Sequence, residues 1–326
     1  MALLRNLDEL KAHVPFTLGM KMDNMASFIA QAEEQFLIPA IGSEAYADIH
    51  TRYINNDLSD PDHHKLLGYC QRSIAYYATL LFIPVGQLHI SDAGIRIAVD
   101  EHFKQAFDWQ ISNLEEACRN AADLNLELTL AWLEAKPQVF TAYHGSPTRQ
   151  RYKQCLVNSP ELMNQWAGVK MPRRHFMQVI PMLKKLQSLH IETILCSALY
   201  QQVLQQWTSN TVSTTNQALL NFIQPALANL SLAKSVSSLT LDFSSLGITH
   251  TTGDVSRMHI KQAASDAARA HFIQDKMEEG RSYLSLLEQY LLDHVNQYPL
   301  FASSPCYQNP SITPFNTDPQ AAIYIV

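Results

Sequence analysis

The chain has 326 residues, enough for two domains that each bury a core. An apolar fraction of 47% with 17% charged residues excludes wholesale disorder, and only ten glycines argue against a turn-rich all-β chain. The formal charge of −6 leaves no basic surplus for wrapping nucleic acid nonspecifically.

The opening MALLRNLDELK lacks the basic-then-apolar order of a secretory signal. Met25, Phe28, Ile29, Ala32 and Phe36 keep the spacing of one buried helix face, with Asp23 and Asn24 offering a cap. Ser59-Asp60-Pro61 signals the start of another helix, apolar all round from Leu66 to Phe82 and therefore central. The longest apolar run, Ile74 to Val85, falls short of the roughly 20 residues of a membrane span, so no membrane is expected and the protein reads as soluble and intracellular. Leu88-His89-Ile90 and Ile95-Arg96-Ile97 alternate on either side of Ser91-Asp92-Ala93-Gly94, which predicts a short β-hairpin. Gln105 to Leu133 reads as a long helix broken near Asp123-Leu124-Asn125, and HGSPTRQRYK from His144 as a polar linker.

Beyond the linker the pattern returns. Asn6-Leu7-Asp8-Glu9-Leu10 aligns with Asn158-Ser159-Pro160-Glu161-Leu162, and Ile41, Ser43, Tyr46, Ile49 and Tyr53 with Leu195, Ser197, Tyr200, Val203 and Trp207. Leu88 to Ile95 meets Leu241 to Ile248 as a shared L-x-(I/F)-S-x-x-G-I, and Phe103-Lys104-Gln105-Ala106 meets Ile260-Lys261-Gln262-Ala263. The separation drifts only from 152 to 157 residues, with the extra residues of the second copy just after its glycine. The expected fold is mostly α: a tandem duplication of a four- to five-helix bundle, copy one over 1–147 and copy two over 153–304, each with a hairpin. Gly94 and Gly247 read as turn positions needing unusual backbone angles. Residues 305–326, with Pro305, Pro310, Pro314 and Pro319, read as an extended arm. Its apolar tip, Ile323, Tyr324, Ile325 and Val326, must pair as a strand, either with another subunit or a binding partner or back on its own domain.

Chemistry is sparse. The five cysteines, with no C-x-x-C pair, read as reduced thiols filling core rather than as disulfides or a zinc site. Asp60-Pro61-Asp62-His63-His64 gathers two carboxylates and two imidazoles, which suits either a metal or a solvated first helical turn; the aligned Ser213-Thr214-Thr215-Asn216-Gln217 has no such ligands. Asp100-Glu101-His102 has residue types for acid–base work and His89, Ser91 and Asp92 those of a hydrolytic triad, but copy two repeats neither set. No phosphate-loop, dinucleotide, zinc-protease or nucleophile-elbow motif occurs, so no catalytic residue, cofactor or metal is assigned. Basic residues cluster at Arg149, Arg151 and Lys153 and at Lys170, Arg173, Arg174 and His175, suited to an acidic partner or to a solvated helix start.

Leu7-Asp8-Glu9-Leu10-Lys11, then Phe28 to Pro39 with Ile41-Gly42, then the Ile90-Ser91 to Gly94-Ile95 turn, resemble an uncharacterised family of Bacteroidetes phage and prophage proteins. The first of these segments is also similar to the opening of tailed-phage head–tail connector proteins, helical adaptors that assemble as rings beneath the portal, although this chain departs from them in being duplicated. The resemblance implies a non-enzymatic virion protein, a head–tail connector or neck adaptor. Such a protein would form a homo-oligomeric ring between portal and tail, through which DNA passes without sequence-specific binding. Gly94, Gly247, Arg173, Arg174 and Ile323 to Val326 are its expected contact residues. The alternatives are a metal-dependent enzyme or regulatory factor using Asp60 to His64, or a helical scaffold that never enters a virion.

Overall fold

The computed structural model describes residues 2–14, 22–86, 88–91, 94–97, 106–238, 249–252, 260–263 and 265–307. Helix α1 (Leu7–His13) starts where the Asn6 side chain accepts a hydrogen bond from the Glu9 N–H at 2.8 Å. Helix α2 (Met22–Ala32) buries Met25, Ile29 and Ala32 and runs through a π-helical turn, Glu33–Leu37, into α3 (Ile38–Ile41). Gly42, at φ 89° and ψ 154°, stops α3 in a conformation that L side chains rarely adopt, and α4 (Ser43–Ile54) leaves in a new direction. Helix α5 (Pro61–Gly86) is the apolar central helix. Strand β1 (Leu88–Ser91) pairs antiparallel with β2 (Gly94–Ile97), Leu88 opposite Ile97 and Ser91 opposite Gly94. Helix α6 (Asp108–Ala135) then packs along α5, and the short α7 (Thr141–His144) follows.

Two expectations change here. Helix α6 is unbroken at Asp123–Asn125, because the Asn125 amide donates to the Ala121 carbonyl at 2.7 Å and Thr129 to that of Asn125 at 2.8 Å. Both side chains bond back along the helix instead of competing with it. The polar linker is also largely helical. Ser146 caps α8 (Pro147–Lys153) by accepting from the Arg149 N–H, Pro147 sits in its first turn, and Tyr152 is buried.

The second half begins with α9 (Pro160–Ala167), capped by Ser159, and α10 (Arg173–Leu186). A π-helical turn, Gln187–Ile191, leads into α11 (Glu192–Thr208), which kinks at Cys196. After the long α12 (Thr214–Ser238) come strands β3 (Thr249–Thr252) and β4 (Ile260–Ala263), paired antiparallel with Thr249 opposite Ala263. Helix α13 (Asp266–Asp293) packs along α12, and α14 (Pro299–Ala302) closes the half. The molecule is thus mostly α-helical, with two hydrophobic cores. One gathers Leu10, Ile29, Ile49, Ile74, Leu126 and Phe140; the other gathers Phe176, Leu183, Leu195, Leu227, Leu287 and Phe301. Among the described residues no helix is long and apolar enough to cross a membrane.

Particular contacts recur 153 or 154 residues apart. Buried Glu33 accepts from the Leu3 N–H at 2.6 Å and the Tyr46 hydroxyl at 2.9 Å, while buried Gln187 accepts from the Leu156 N–H at 2.9 Å and donates to the Tyr200 hydroxyl at 2.7 Å. Gln71 donates to the Leu3 carbonyl at 2.7 Å, and Gln224 to that of Leu156 at 3.0 Å. Asn56 and Asn210 both take φ 55°. The elbow at Gly42 returns at Cys196, with φ 59° and ψ 157°.

That second elbow overturns part of the cysteine expectation. Cys196 and Cys306 form a disulfide with Cα atoms 5.8 Å apart, well within bridging range, across 110 residues of sequence. Cys70, Cys118 and Cys155 are free and buried. In the first half the corresponding positions are Gly42 and Thr148, also neighbours: a β-carbon at position 42 would lie 3.2 Å from the Thr148 Cβ. Spacing in the sequence does not reveal such a bridge, because folding rather than chain proximity creates it.

Candidate functional site

A dense polar cluster lies between α6 and the start of α10. The Arg173 guanidinium, almost fully buried, makes a two-pronged pair with Glu127 at 3.1 and 3.0 Å. Its neighbour Arg174 reaches both oxygens of Asp123 at 3.2 and 3.3 Å, and Asp123 also accepts from the Tyr77 hydroxyl at 2.6 Å. Two turns beyond Glu127 along the same face of α6, Glu134 accepts from Arg149 at 3.0 Å on each oxygen and from the Tyr143 hydroxyl at 3.0 Å. Tyr152 donates to the carbonyls of Pro39 and Ala40, fastening α8 to α3. A cavity of about 310 Å³ opens between these groups, lined by Glu127, Glu134, Tyr143, Tyr152, Glu161 and Arg173 among others.

Burial and charge compete here. Burial lifts the Glu127 carboxyl above its usual range, with Arg173 pulling the other way. At Glu134 burial is outweighed by Arg149, helped by Lys153 and Tyr143, so its carboxyl sits below the usual range. The Tyr152 phenol is pushed up to about 12, chiefly by burial. The part-buried pairs of Arg173 with Glu127 and Arg174 with Asp123 fix α10 against α6, while the more exposed Arg149 pair with Glu134 ties α8 to the end of α6.

The residues expected at contacts fare unequally. Arg173 and Arg174 are engaged inside the chain, across the seam. Gly94 opens β2 opposite Ser91. Gly247, Ile323, Tyr324, Ile325 and Val326 lie outside the described residues, as do Asp92 and Asp100 to His102. His89 and Ser91 both lie on β1.

The Asp60 to His64 groups are placed but not brought to one point. Asp60 pairs with His63 Nδ1 at 2.7 Å and takes the Asp62 N–H at 2.9 Å; together these hold its carboxyl below the usual range. Asp62 binds Lys136 at 2.6 and 2.7 Å. Buried His63 packs on Phe140 with its Nε2 3.7 Å from Asp48, while His64 is exposed. Among the described residues no three His, Cys, Asp or Glu side chains converge in a way that could hold a metal. The segment ties the start of α5 to α4 and α6.

A family model matches residues 24–153 and 191–311, most of the chain. The chain belongs to DUF6712, a family of unknown function. No curated protein and no solved structure matches it. Both stretches matched to DUF6712 carry the same landmarks: the first spans Gly42 and Thr148, the second Cys196 and Cys306. They end at Lys153 and Ser311, 158 residues apart, the same separation as α6 from α13.

Sequence reasoning picked out Arg173 and Arg174 but missed their partners. The signal was present in α6, where Asp123, Glu127 and Glu134 recur at helical spacing on one face, an acidic stripe facing a basic helix start.

Proposed function

We propose that the chain is a tandem duplication, copy one over 1–147 and copy two over 153–304 with a C-terminal arm over 305–326, and that it is a structural component of a phage virion. In this reading it is a head–tail connector or neck adaptor, assembling as a ring between portal and tail with DNA passing through the lumen. Each copy is a helical bundle bearing a short hairpin, and the hairpins present loops to portal or tail.

The observation that carries the reading is which features the halves share. The Glu33 and Gln187 clasps, the Gly42 and Cys196 elbows and the Asn56 and Asn210 turns all set chain direction or pin segments together. The chemically suggestive groups are not repeated: His63 corresponds to Asn216, a polar side chain that bonds Gln206. Selection for building parts in both copies fits a protein whose work is assembly. The phage resemblance supplies the setting.

Contact through Arg173 and Arg174 drops out of the proposal, since both face Glu127 and Asp123. Gly94, Gly247 and the Ile323 to Val326 tip remain as contact candidates. The test is mass measurement and electron microscopy of the purified chain with and without the portal of the same phage. A ring on the portal is expected; a monomer that ignores portal overturns the reading.

A further inference from the structure

The two halves fasten their last segments differently. Ser146-Pro147-Thr148 returns 158 residues later as Ser304-Pro305-Cys306. In the first half α8 is held by Tyr152, which donates to the carbonyls of Pro39 and Ala40 at 3.3 and 3.2 Å, and by the Arg149 pair with Glu134. The matching residues of the second half are Pro310, Tyr307 and Leu292, so the phenol donor and both charges of the pair are gone. In their place Cys306 is bonded to Cys196, at the elbow where the first half has Gly42.

The elbow itself does not require that bond. Gly42 makes the same turn beside Thr148 with no cross-link. Glycine takes such angles at no cost and cysteine does not, so the sulfur, not the backbone, accounts for a cysteine there. The bridge is also open to chemistry: Cys306 is exposed and Cys196 half-buried, within reach of a small thiol in solvent. Cys70, Cys118 and Cys155 are buried, and burial pushes their thiols up to about 12, about 11 and about 11. The thiolate is the attacking species, so these three stay out of exchange at neutral pH and one bridge is left to open and close.

We infer that Cys196–Cys306 is a thiol–disulfide exchange site, which frees the segment beyond α14 where a small thiol such as glutathione is present and ties it to α11 where the surroundings are oxidising. The comparison of halves behind it rests on the duplication reading. A thiolate attacks Cys306 Sγ, the S–S bond breaks, and Cys196 leaves as a thiolate that takes up a proton. A second thiol attacks the mixed disulfide, and Cys306 leaves in the same way. The bridge gains the two electrons and two protons that the two small thiols lose as they become a disulfide. Helix α14 stays on the core in both states, because Phe301 is buried and the Tyr298 hydroxyl donates to the Thr215 carbonyl at 2.8 Å. Residues 303–307 are the part released; besides the bridge they have short-range backbone bonds and the Tyr307 ring, 5.7 Å from that of Phe301.

The test uses the full chain purified without reductant, with alkylation and peptide mass mapping. A Cys196–Cys306 cross-link is expected. Reduced glutathione should open it with circular dichroism unchanged and the three buried cysteines unalkylated, and oxidised glutathione should close it again. Opening should quicken hydrogen exchange in residues 303–307 about tenfold or more while α12 and α13 keep their rates, and Cys306→Ser should show the fast rate in either buffer. A chain without the cross-link overturns the inference, as does a bridge that yields only after denaturation, or exchange at 303–307 that ignores reduction. A ring that forms on portal with an inert bridge would sink the exchange site alone, whereas a bridge that opens and closes on a chain that never assembles would sink the neck-adaptor reading alone.

Discussion

Exchanging the clasp residues between the halves probes the repeated core directly. Gln187 is 3% exposed; its Oε1 accepts from the Leu156 N–H, and its Nε2 donates to the Tyr200 hydroxyl and to the Gln154 carbonyl at 3.0 Å. In Gln187→Glu the Tyr200 hydroxyl can turn and donate, as Tyr46 does to Glu33. The Gln154 carbonyl cannot: it loses its donor and faces a carboxylate oxygen. Losing that part-buried hydrogen bond costs about 1 kcal/mol, and a charged carboxylate buried where the amide was, with one bonding partner fewer, costs about 1–3 more, so the variant should lose about 2–4 kcal/mol at neutral pH. Burial raises the new carboxyl's folded pKa, so the deficit should shrink as pH falls through that value and the protonated group donates to Gln154. The reverse change, Glu33→Gln, should cost nothing near pH 7. Burial already holds the Glu33 carboxyl above its ordinary value despite the Leu3 and Tyr46 hydrogen bonds. The wild type therefore gains stability from this group as pH falls toward about 4–5 and loses it as pH rises; the amide removes that dependence. Urea unfolding followed by circular dichroism between about pH 5 and pH 7 reads both effects. The reasoning is refuted if Gln187→Glu costs less than ~0.5 kcal/mol at neutral pH, or if its deficit grows on acidification.

Other perturbations test the elbows and the seam. Gly42→Ala forces a side chain into backbone angles that L residues rarely adopt and brings Cβ to 3.2 Å from Thr148, so the unfolding free energy should drop by about 1–3 kcal/mol. Cys306→Ser should cost about 2–4 kcal/mol by opening a long cross-link. The pair Cys196→Gly with Cys306→Thr, which copies Gly42 and Thr148, should recover part of that and be insensitive to a reducing thiol in thermal melts. Gly280→Ala would place a β-carbon 2.5 Å from the Leu230 side chain, where α13 crosses α12, and should lose about 1–3 kcal/mol despite the better helix former. Arg173→Ala leaves Glu127 half-buried without its partner and should cost about 2–4 kcal/mol, with Arg173→Met combined with Glu127→Leu restoring most of it in denaturant titration.

Much of the helical framework was legible in the sequence because it depends on local periodicity. Met25, Ile29 and Ala32 announce α2 by spacing alone, and Pro61 after Ser59-Asp60 marks the start of α5. Polarity misled where tertiary contacts decide the outcome. The stretch from His144 to Lys153 looks like a linker, yet Ser146 and Pro147 start a helix and Tyr152 finds carbonyls on α3 more than 110 residues earlier. Asp123-Leu124-Asn125 looks like a break until Asn125 bonds back to Ala121. The disulfide was illegible for the same reason: Cys196 and Cys306 meet only after α11 and α14 pack.

At the Asp60 to His64 segment, four metal-binding side chains within five residues look like a site, but a helix start sends consecutive residues in different directions. Asp60 turns back to His63, Asp62 crosses to Lys136 on α6, and His64 faces outward. The seam shows the reverse: Arg173 and Glu127 are 46 residues apart and share no motif, yet they form a nearly dry two-pronged pair because α6 and α10 pack together. Proximity along the chain therefore overstated one cluster and hid the other. What linked the halves across that distance was position, the same places recurring after 153 to 158 residues.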